Sequence, residues 1–570
     1  MEIIKFQKKY NNDTIDLIKK CYIIIKKEFD IEGKDNDLLD IENHYNNTNG
    51  AFFIAINDEK VVGTVGIVFL NEKNIIVGDV RRLYVLPELQ NLGIRTALLK
   101  FIYKYAKNNQ ANCLRGVTSK SQEKAISLYK KLGAHEISQY RKSQAELFFE
   151  KEIVENTNSE KLITFSNEIK SSFTLLEQYN KESLILNPVE NYPSPEFLTP
   201  CASTIHGLYN TDSIRNESEK KQSKIQFSGR ELVLKNVNEI YNEWSNLLGA
   251  EALTMRLLSG LHAHIVLFMS ITDIGDRVLL LPEIAGGHMA TKAILERLGL
   301  EVKELPIDIK NRKVNEEESL NLIREFDPKV IFVDRSEGLV YEDFSWINKI
   351  NKNTIKIFDA SQYITNILSG DYSSPFDMGF DMILSTMHKN LPGPQRALIC
   401  CRIIDDNWRK LKSGISTYVS NMHFHSIYSA GLLLKDYSNL KNLSKNMLNN
   451  TVLLDRALAD KGINVIKRNT NASNPSTHHI WLKPNDKEQA YTWYKELEEI
   501  GILTNYRKLP YELGYGLRLG LSAASYRGLN ESHISALANI IADCLHNKDD
   551  KLNLKKRLKQ LLMEIDNGTQ

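Results

Sequence analysis

The chain has 570 residues, which at about 150 residues per domain suits three or four domains and excludes a single small module. Its 73 Lys and Arg against 71 Asp and Glu leave a net charge of +2, with 42% hydrophobic and 25% charged residues. Nothing in that balance asks for nucleic acid or an anionic membrane. Six scattered cysteines with no C-x-x-C pair exclude a disulfide framework or a thiolate zinc site and point to a reducing, cytoplasmic setting.

The first twenty residues, MEIIKFQKKYNNDTIDLIKK, alternate apolar and charged residues too often for a signal peptide. Apolar runs such as Ile265-Val266-Leu267-Phe268-Met269 fall far short of the ~18 residues a membrane span needs. Ala51 to Ile56 and Val61 to Leu70, joined by Asn57-Asp58-Glu59-Lys60, predict an antiparallel hairpin. A helix is expected from about Gly93 to Lys107. Residues 151–180 are polar and weakly periodic, as in a linker or connecting helix. Beyond them strands alternate with helices: Val278 to Leu281, a helix from Thr291, Val330 to Val333, Ile355 to Phe358. That order predicts a mainly parallel sheet. Cys400-Cys401 ends an apolar run and reads as buried strand sulfur. Near the end, Leu554, Leu558, Leu561, Leu562 and Ile565 form one helical stripe, which suits a docked terminal helix, while its basic face leaves a membrane or partner helix open.

The run from Leu83 to Leu98 is a strand, a turn at Pro87, then Gly93 opening a helix. Free backbone N–H groups and the positive end of the helix dipole meet there, which suits a diphosphate. Gln90-x-x-Gly93 resembles the first half of motif A of the GNAT N-acetyltransferases, whose Gln/Arg-x-x-Gly-x-Gly/Ala loop binds the pyrophosphate of coenzyme A. Arg95 stands at the third small position, where a guanidinium can add to diphosphate binding. Ala125 to Ala134 resembles the family's second signature, and by position Tyr129 is the tyrosine that protonates the departing thiolate. The resemblance covers roughly residues 50–140 and implies acetyl-CoA as co-substrate.

In the second half, Lys389 follows the apolar strand Met382-Ile383-Leu384 in a turn rich in Gly and Pro, a setting that suits an amine nucleophile. Asp359 ends the strand Ile355 to Phe358, so both residues fall at carboxyl ends of parallel strands, where such sheets bind ligands. An aspartate facing a pyridine nitrogen and an imine-forming lysine are the two groups a pyridoxal phosphate enzyme needs. Residues 182–540 resemble serine hydroxymethyltransferase, a fold-type I pyridoxal phosphate enzyme. The resemblance sets Glu190 on the glutamate that exchanges a proton with the substrate hydroxyl or folate, and Tyr209 on the tyrosine that reaches into the partner subunit's site. It sets Ser259 and Gly260 in the phosphate turn, His288 on the cofactor ring, and Ser336 near the phenolic oxygen. Thr386 and His388 precede Lys389 as in the family, and Arg518 is the carboxylate clamp.

Four departures surround that core. Gln362 replaces the histidine of Asp-x-x-His, Phe227 replaces a tyrosine near the reacting carbon, Ser420-Asn421 replaces the partner's Gly-Gly loop, and Pro188 replaces the first serine of S-E-N. His262 and His264, two apart, read as a helix start beside the cofactor rather than a metal pair, and no metal is expected. His478-His479 reads as structural.

The expected architecture is α/β. A GNAT domain spans 1–150 and a linker 151–180; a pyridoxal phosphate large domain spans 181–415, a small α/β domain 416–545, and a charged helical tail 546–570. The resemblances imply a bifunctional, homodimeric enzyme: an acetyl-CoA-dependent N-acyltransferase joined to a half that acts on glycine and β-hydroxy amino acids by aldol, retro-aldol or hydroxymethyl transfer. Tetrahydrofolate as one-carbon carrier stays open beside a folate-free threonine aldolase or transaldolase chemistry, as does an amino-acid N-acetyltransferase whose second half has no catalysis.

Overall fold

The computed structural model describes residues 1–570 except 47–48, 58–59, 73–74, 90–92, 142, 144, 154–157, 212–216, 223–224, 352 and 568–570. The chain divides into two compact units, Met1–Ser172 and Phe173–Gln570. The polar stretch expected as a linker contains a 24-residue helix, Asn158–Lys181, so the division falls inside a continuous helix.

The first unit is one seven-stranded sheet. Its strands are β1 (Glu2–Lys5), β2 (Gly50–Asn57), β3 (Lys60–Glu72), β4 (Ile75–Val85), β5 (Cys113–Thr118), β6 (His135–Ile137) and β7 (Leu147–Glu152), in the order β1-β2-β3-β4-β5-β7-β6. The hairpin expected at 51–70 is the β2–β3 pair. Helices α1 (Asn11–Ile24), α2 (Ile94–Asn108) and α3 (Glu123–Lys131) complete the unit. Strands β4 and β5 are parallel, but they pair only at Val77–Cys113, Gly78–Leu114 and Asp79–Arg115. Beyond Asp79 no pairing joins them, and a cavity occupies that end of the sheet.

The second unit is built on another seven-stranded sheet. Glu301–Glu304, Arg277–Leu280, Val330–Val333, Ile355–Asp359 and Met382–Thr386 run parallel, Ala397–Cys401 runs antiparallel to its neighbour, and Ala252–Leu257 closes the edge. Every residue of the four strands from Val330 to Cys401 is buried, as expected where helices cover both faces and side chains need no polar alternation. Cys400 and Cys401 lie in that interior, and burial pushes both thiols up. Trp244 is fully buried in the same core and donates its indole N–H to the Ala430 carbonyl at 3.1 Å.

A smaller antiparallel sheet follows, with Gly514–Gly520 between His479–Leu482 and Asn505–Leu509. Among the described residues five helices share its core, including the terminal Lys551–Asn567. All five apolar residues of the stripe read from the sequence are buried there. Among the described residues no helix is long and apolar enough to cross a membrane.

Candidate active site

At the carboxyl ends of the parallel strands of the second unit lies a cavity of about 190 Å3. Three strands deliver its principal groups: Val330–Val333 leads into Asp334, Ile355–Asp359 ends on Asp359, and Met382–Thr386 leads through Met387 and His388 to Lys389. From the opposite wall, helix Gly260–Ile271 presents its N-terminus, capped by Ser259 Oγ accepting from the His262 N–H. Gly260 is needed at that point, because a Cβ there would come within 2.9 Å of Thr386 Cγ2.

Burial dominates the electrostatics. It pushes the pKa of Lys389 down, partly offset by the charge of Asp359. For Asp359 burial works upward, but the hydrogen bond and charge of His264, together with Lys389 and the Ser361 N–H, outweigh it and hold the carboxyl below its usual range. His264 Nε2 lies 2.9 Å from Asp359 Oδ2. Burial drives Asp334 well above the usual carboxylate value, and Oδ2 accepts from Thr291 Oγ1 at 2.5 Å. Burial also lowers His288 and His388, each to about 4, so both rings are neutral near pH 7.

Arg518 is buried beside this cavity, where Nη1 donates to the Ser336 carbonyl at 3.2 Å. Glu337, itself buried, stands 3.8 Å from Arg518 and 2.5 Å from Arg507, so one carboxylate serves two guanidiniums.

Of the residues singled out in sequence, Ser259, Gly260, His288, Ser336, Asp359, Gln362, Thr386, His388 and Lys389 line this one cavity. Glu190 does not. It is exposed and lines a separate cavity with Asn187, Thr504, Asn505 and Tyr506, although the neighbouring Asn191 donates to the Lys389 carbonyl at 2.8 Å. Tyr209 and Phe227 also lie outside the Lys389 cavity, with ring centroids 5.4 Å apart. Asn421 joins their neighbourhood, its side chain accepting from the Asn210 N–H at 3.1 Å. Sequence reasoning missed Asp334 and Ser361 and read His264 only as a helix start. An isolated aspartate after an apolar strand was their one legible signal.

In the first unit, Arg95 and Tyr129 line the cavity of about 860 Å3 where β4 and β5 diverge. Gly93 adopts φ 80° at the head of α2, a left-handed conformation that suits glycine. Gln90 lies outside the described residues. The Tyr129 ring stacks on Phe149 at 5.2 Å, and Gly116 makes room for it, since a Cβ there would meet the Tyr129 hydroxyl at 3.0 Å. Burial pushes the Tyr129 phenol up to about 12, so it is a proton donor at neutral pH.

The family model "Serine hydroxymethyltransferase" matches residues 177–541, well over half of the sequence. The chain belongs to the serine hydroxymethyltransferase family. Residues 13–134 match the acetyltransferase (GNAT) family model. The serine hydroxymethyltransferase of Picrophilus torridus is 23% identical over 69% of this chain and 91% of its own. An L-threonine:uridine-5'-aldehyde transaldolase of a Streptomyces species is 29% identical over 64% of this chain and 89% of its own. The crystal structure of an L-threonine transaldolase from Pseudomonas fluorescens superposes with a TM-score of 0.66 at 21% identity, covering 71% of this chain and 93% of that one.

This member of the serine hydroxymethyltransferase family is thus an enzyme of transferase type, with pyridoxal phosphate the cofactor of its second unit and acetyl-CoA the co-substrate of its first. The residues present fit the cofactor. Thr386 Oγ1, Gln362 Nε2, Asp334 Oδ1 and His388 Nδ1 are buried, line the cavity and have no partner among the described residues, an arrangement that a polar ligand would satisfy.

Proposed function

We propose that the second unit is a transaldolase for β-hydroxy amino acids. It releases the side chain as an aldehyde and joins the remaining glycine-derived carbon to a second aldehyde, without folate. The observation that carries the reading is the convergence of Lys389, Asp359 and His288 on one cavity beside Arg518. Lys389 would hold the cofactor covalently, Asp359 would face its ring nitrogen, His288 would lie against its ring, and Ser259 with the helix N-terminus at Gly260 would take its phosphate. Bound there, pyridoxal phosphate supplies an electron sink for the charge left at Cα when the Cα–Cβ bond breaks. Arg518 would bind the substrate carboxylate, and Lys389, its ammonium form disfavoured by burial, would take the β-hydroxyl proton as the Cα–Cβ bond breaks and return one to the oxygen of the second aldehyde as the new bond forms. Asp359 stays ionised because His264 holds it.

One fact favours an aldehyde over folate: the curated transaldolases stand at 26–29% identity, against 23–25% for the serine hydroxymethyltransferases. A homodimer belongs to this reading. Tyr209, expected to serve a partner's site, is 40% exposed and sits beside Asn421, which occupies the position of the partner's phosphate loop.

The first unit, in this reading, transfers acetyl from acetyl-CoA to an amine, with Tyr129 protonating the departing thiolate.

The holoenzyme given L-threonine and a panel of aldehydes should release acetaldehyde, measured by coupled reduction, and the release should rise with acceptor aldehyde and ignore tetrahydrofolate. Serine cleavage that depends on tetrahydrofolate would overturn the transaldolase reading.

A further inference from the structure

The wall of the first unit's cavity carries a second anion-binding device. Asp79, where β4 and β5 stop pairing, is fully buried. Arg81 Nε reaches it at 2.9 Å, Arg141 Nε at 3.2 Å and the Tyr140 hydroxyl at 2.6 Å. One carboxylate therefore grips two guanidiniums by their Nε edges and leaves a surplus of one positive charge. Among the described residues the Nη1 and Nη2 groups of Arg81 and Arg141 make no hydrogen bond. Both side chains keep over a quarter of their surface exposed, 29% and 27%, and both line the cavity.

The neighbouring Arg82 shows what a structural arginine looks like here. At φ 52°, beside a shift in the β3–β4 register, it turns onto Asp35, Asp37 and the Tyr22 hydroxyl and spends its donors on them. Arg81 and Arg141 are held at Nε only, and among the described residues their forked ends make no hydrogen bond, the arrangement that binds a carboxylate by paired, charge-assisted hydrogen bonds. Arg95, at the start of α2, is a separate cation suited to the coenzyme A phosphates. The Tyr129 phenol feels the charges of both Arg95 and Arg141, so the two cationic stations flank one reacting region.

We propose that the acetyl acceptor is an α-amino acid whose carboxylate is bound by Arg81 and Arg141. This rests on the reading of the first unit as an acetyltransferase. The surplus of one charge matches a carboxylate better than a phosphate monoester, which carries about −1.5 to −2. In the reaction the neutral amine attacks the thioester carbonyl, and the C–N bond forms as the C–S bond breaks. The nitrogen gives up one proton to solvent, and the thiolate gains one from Tyr129, which solvent then restores. The acceptor is thus of the same chemical class as the compounds handled by the second unit, and an amino-acid-forming reaction must supply it.

The test uses the full-length holoenzyme with acetyl-CoA and sets each of several α-amino acids against its own methyl ester and its decarboxylated amine, with O-phosphoethanolamine as a phosphate probe. Amide is read by mass and coenzyme A by thiol release. The free acids should be preferred by about 100-fold or more in kcat/KM, the scale of losing a desolvated charge pair. R81Q and R141Q should raise KM for the acids with the acetyl-CoA Kd unchanged, and R141K should recover part of the loss. Esters and amines acetylated as well as the acids, or a preference for O-phosphoethanolamine, would overturn the proposal while leaving acetyl transfer standing. Absence of acetyl-CoA binding in equilibrium dialysis would instead overturn the acetyltransferase reading, and this proposal with it.

Discussion

His264 Nε2 lies 2.9 Å from Asp359 Oδ2, and Thr291 Oγ1 stands 3.3 Å from the other ring nitrogen of His264. A residue of the helix Gly260–Ile271 thereby fixes the carboxylate that, in the proposed reading, faces the cofactor ring. His264→Phe removes a charge-assisted hydrogen bond of about 1.5–3 kcal/mol. The turnover of threonine should fall about 10- to 100-fold, and Asp359→Asn should fall further. Both are checked by steady-state kinetics at saturating pyridoxal phosphate.

Lys389→Ala removes the only lysine lining the cavity of the second unit among the described residues. The purified variant should lose the visible absorbance of the cofactor-bound enzyme and its aldehyde-releasing activity, while acetyl-CoA-dependent thiol release stays intact. Retained colour and turnover would remove Lys389 from its role.

Arg518→Lys exchanges a planar fork for a point charge. The expected outcome is a rise in amino-acid KM of about 10- to 100-fold, the scale of one charge-assisted pair. Burial brings the Arg518 guanidinium down to about 10. The cation is the binding form and an arginine keeps its charge across the working range, so affinity for the substrate carboxylate should stay level between about pH 6 and 9. A titration of KM against pH measures this.

Tyr129→Phe should lower the kcat of acetyl transfer by about 10²-fold or more, the usual contribution of a positioned acid, with little change in acetyl-CoA affinity. In the proposed role the phenol is the active form, and burial pushes it up to about 12. This group should therefore impose no alkaline loss until pH approaches that value. An alkaline limb near neutrality that vanishes in the variant would contradict the assignment.

Gly260→Ala forces a Cβ to within 2.9 Å of Thr386 Cγ2 at the head of the helix proposed to take the cofactor phosphate. Overpacking of this kind costs about 1–3 kcal/mol. Equilibrium dialysis should show weaker pyridoxal phosphate binding, and the Tm of the holoenzyme should fall.

Much of this protein was legible as pattern. Apolar runs such as Val330 to Val333 declare a sheet covered on both faces, since only burial removes the need for polar alternation. The leucine stripe from Leu554 to Ile565 declares a docked helix, and the order of motifs around Gly93, Asp359 and Lys389 declares two chemistries. Local sequence determines these because hydrophobic period and turn chemistry act over a few residues.

What only tertiary structure decided is which side chains meet. Asp359 and His264 are 95 positions apart, and Asp79 and Arg141 are 62 apart; no local pattern links either pair. Glu190, next to a residue that touches Lys389, still faces another cavity. The direction of titration was decided there too: Asp334 is pushed up and Asp359 down although both are buried aspartates at strand ends, because desolvation raises both and only Asp359 has His264 and Lys389 to outweigh it.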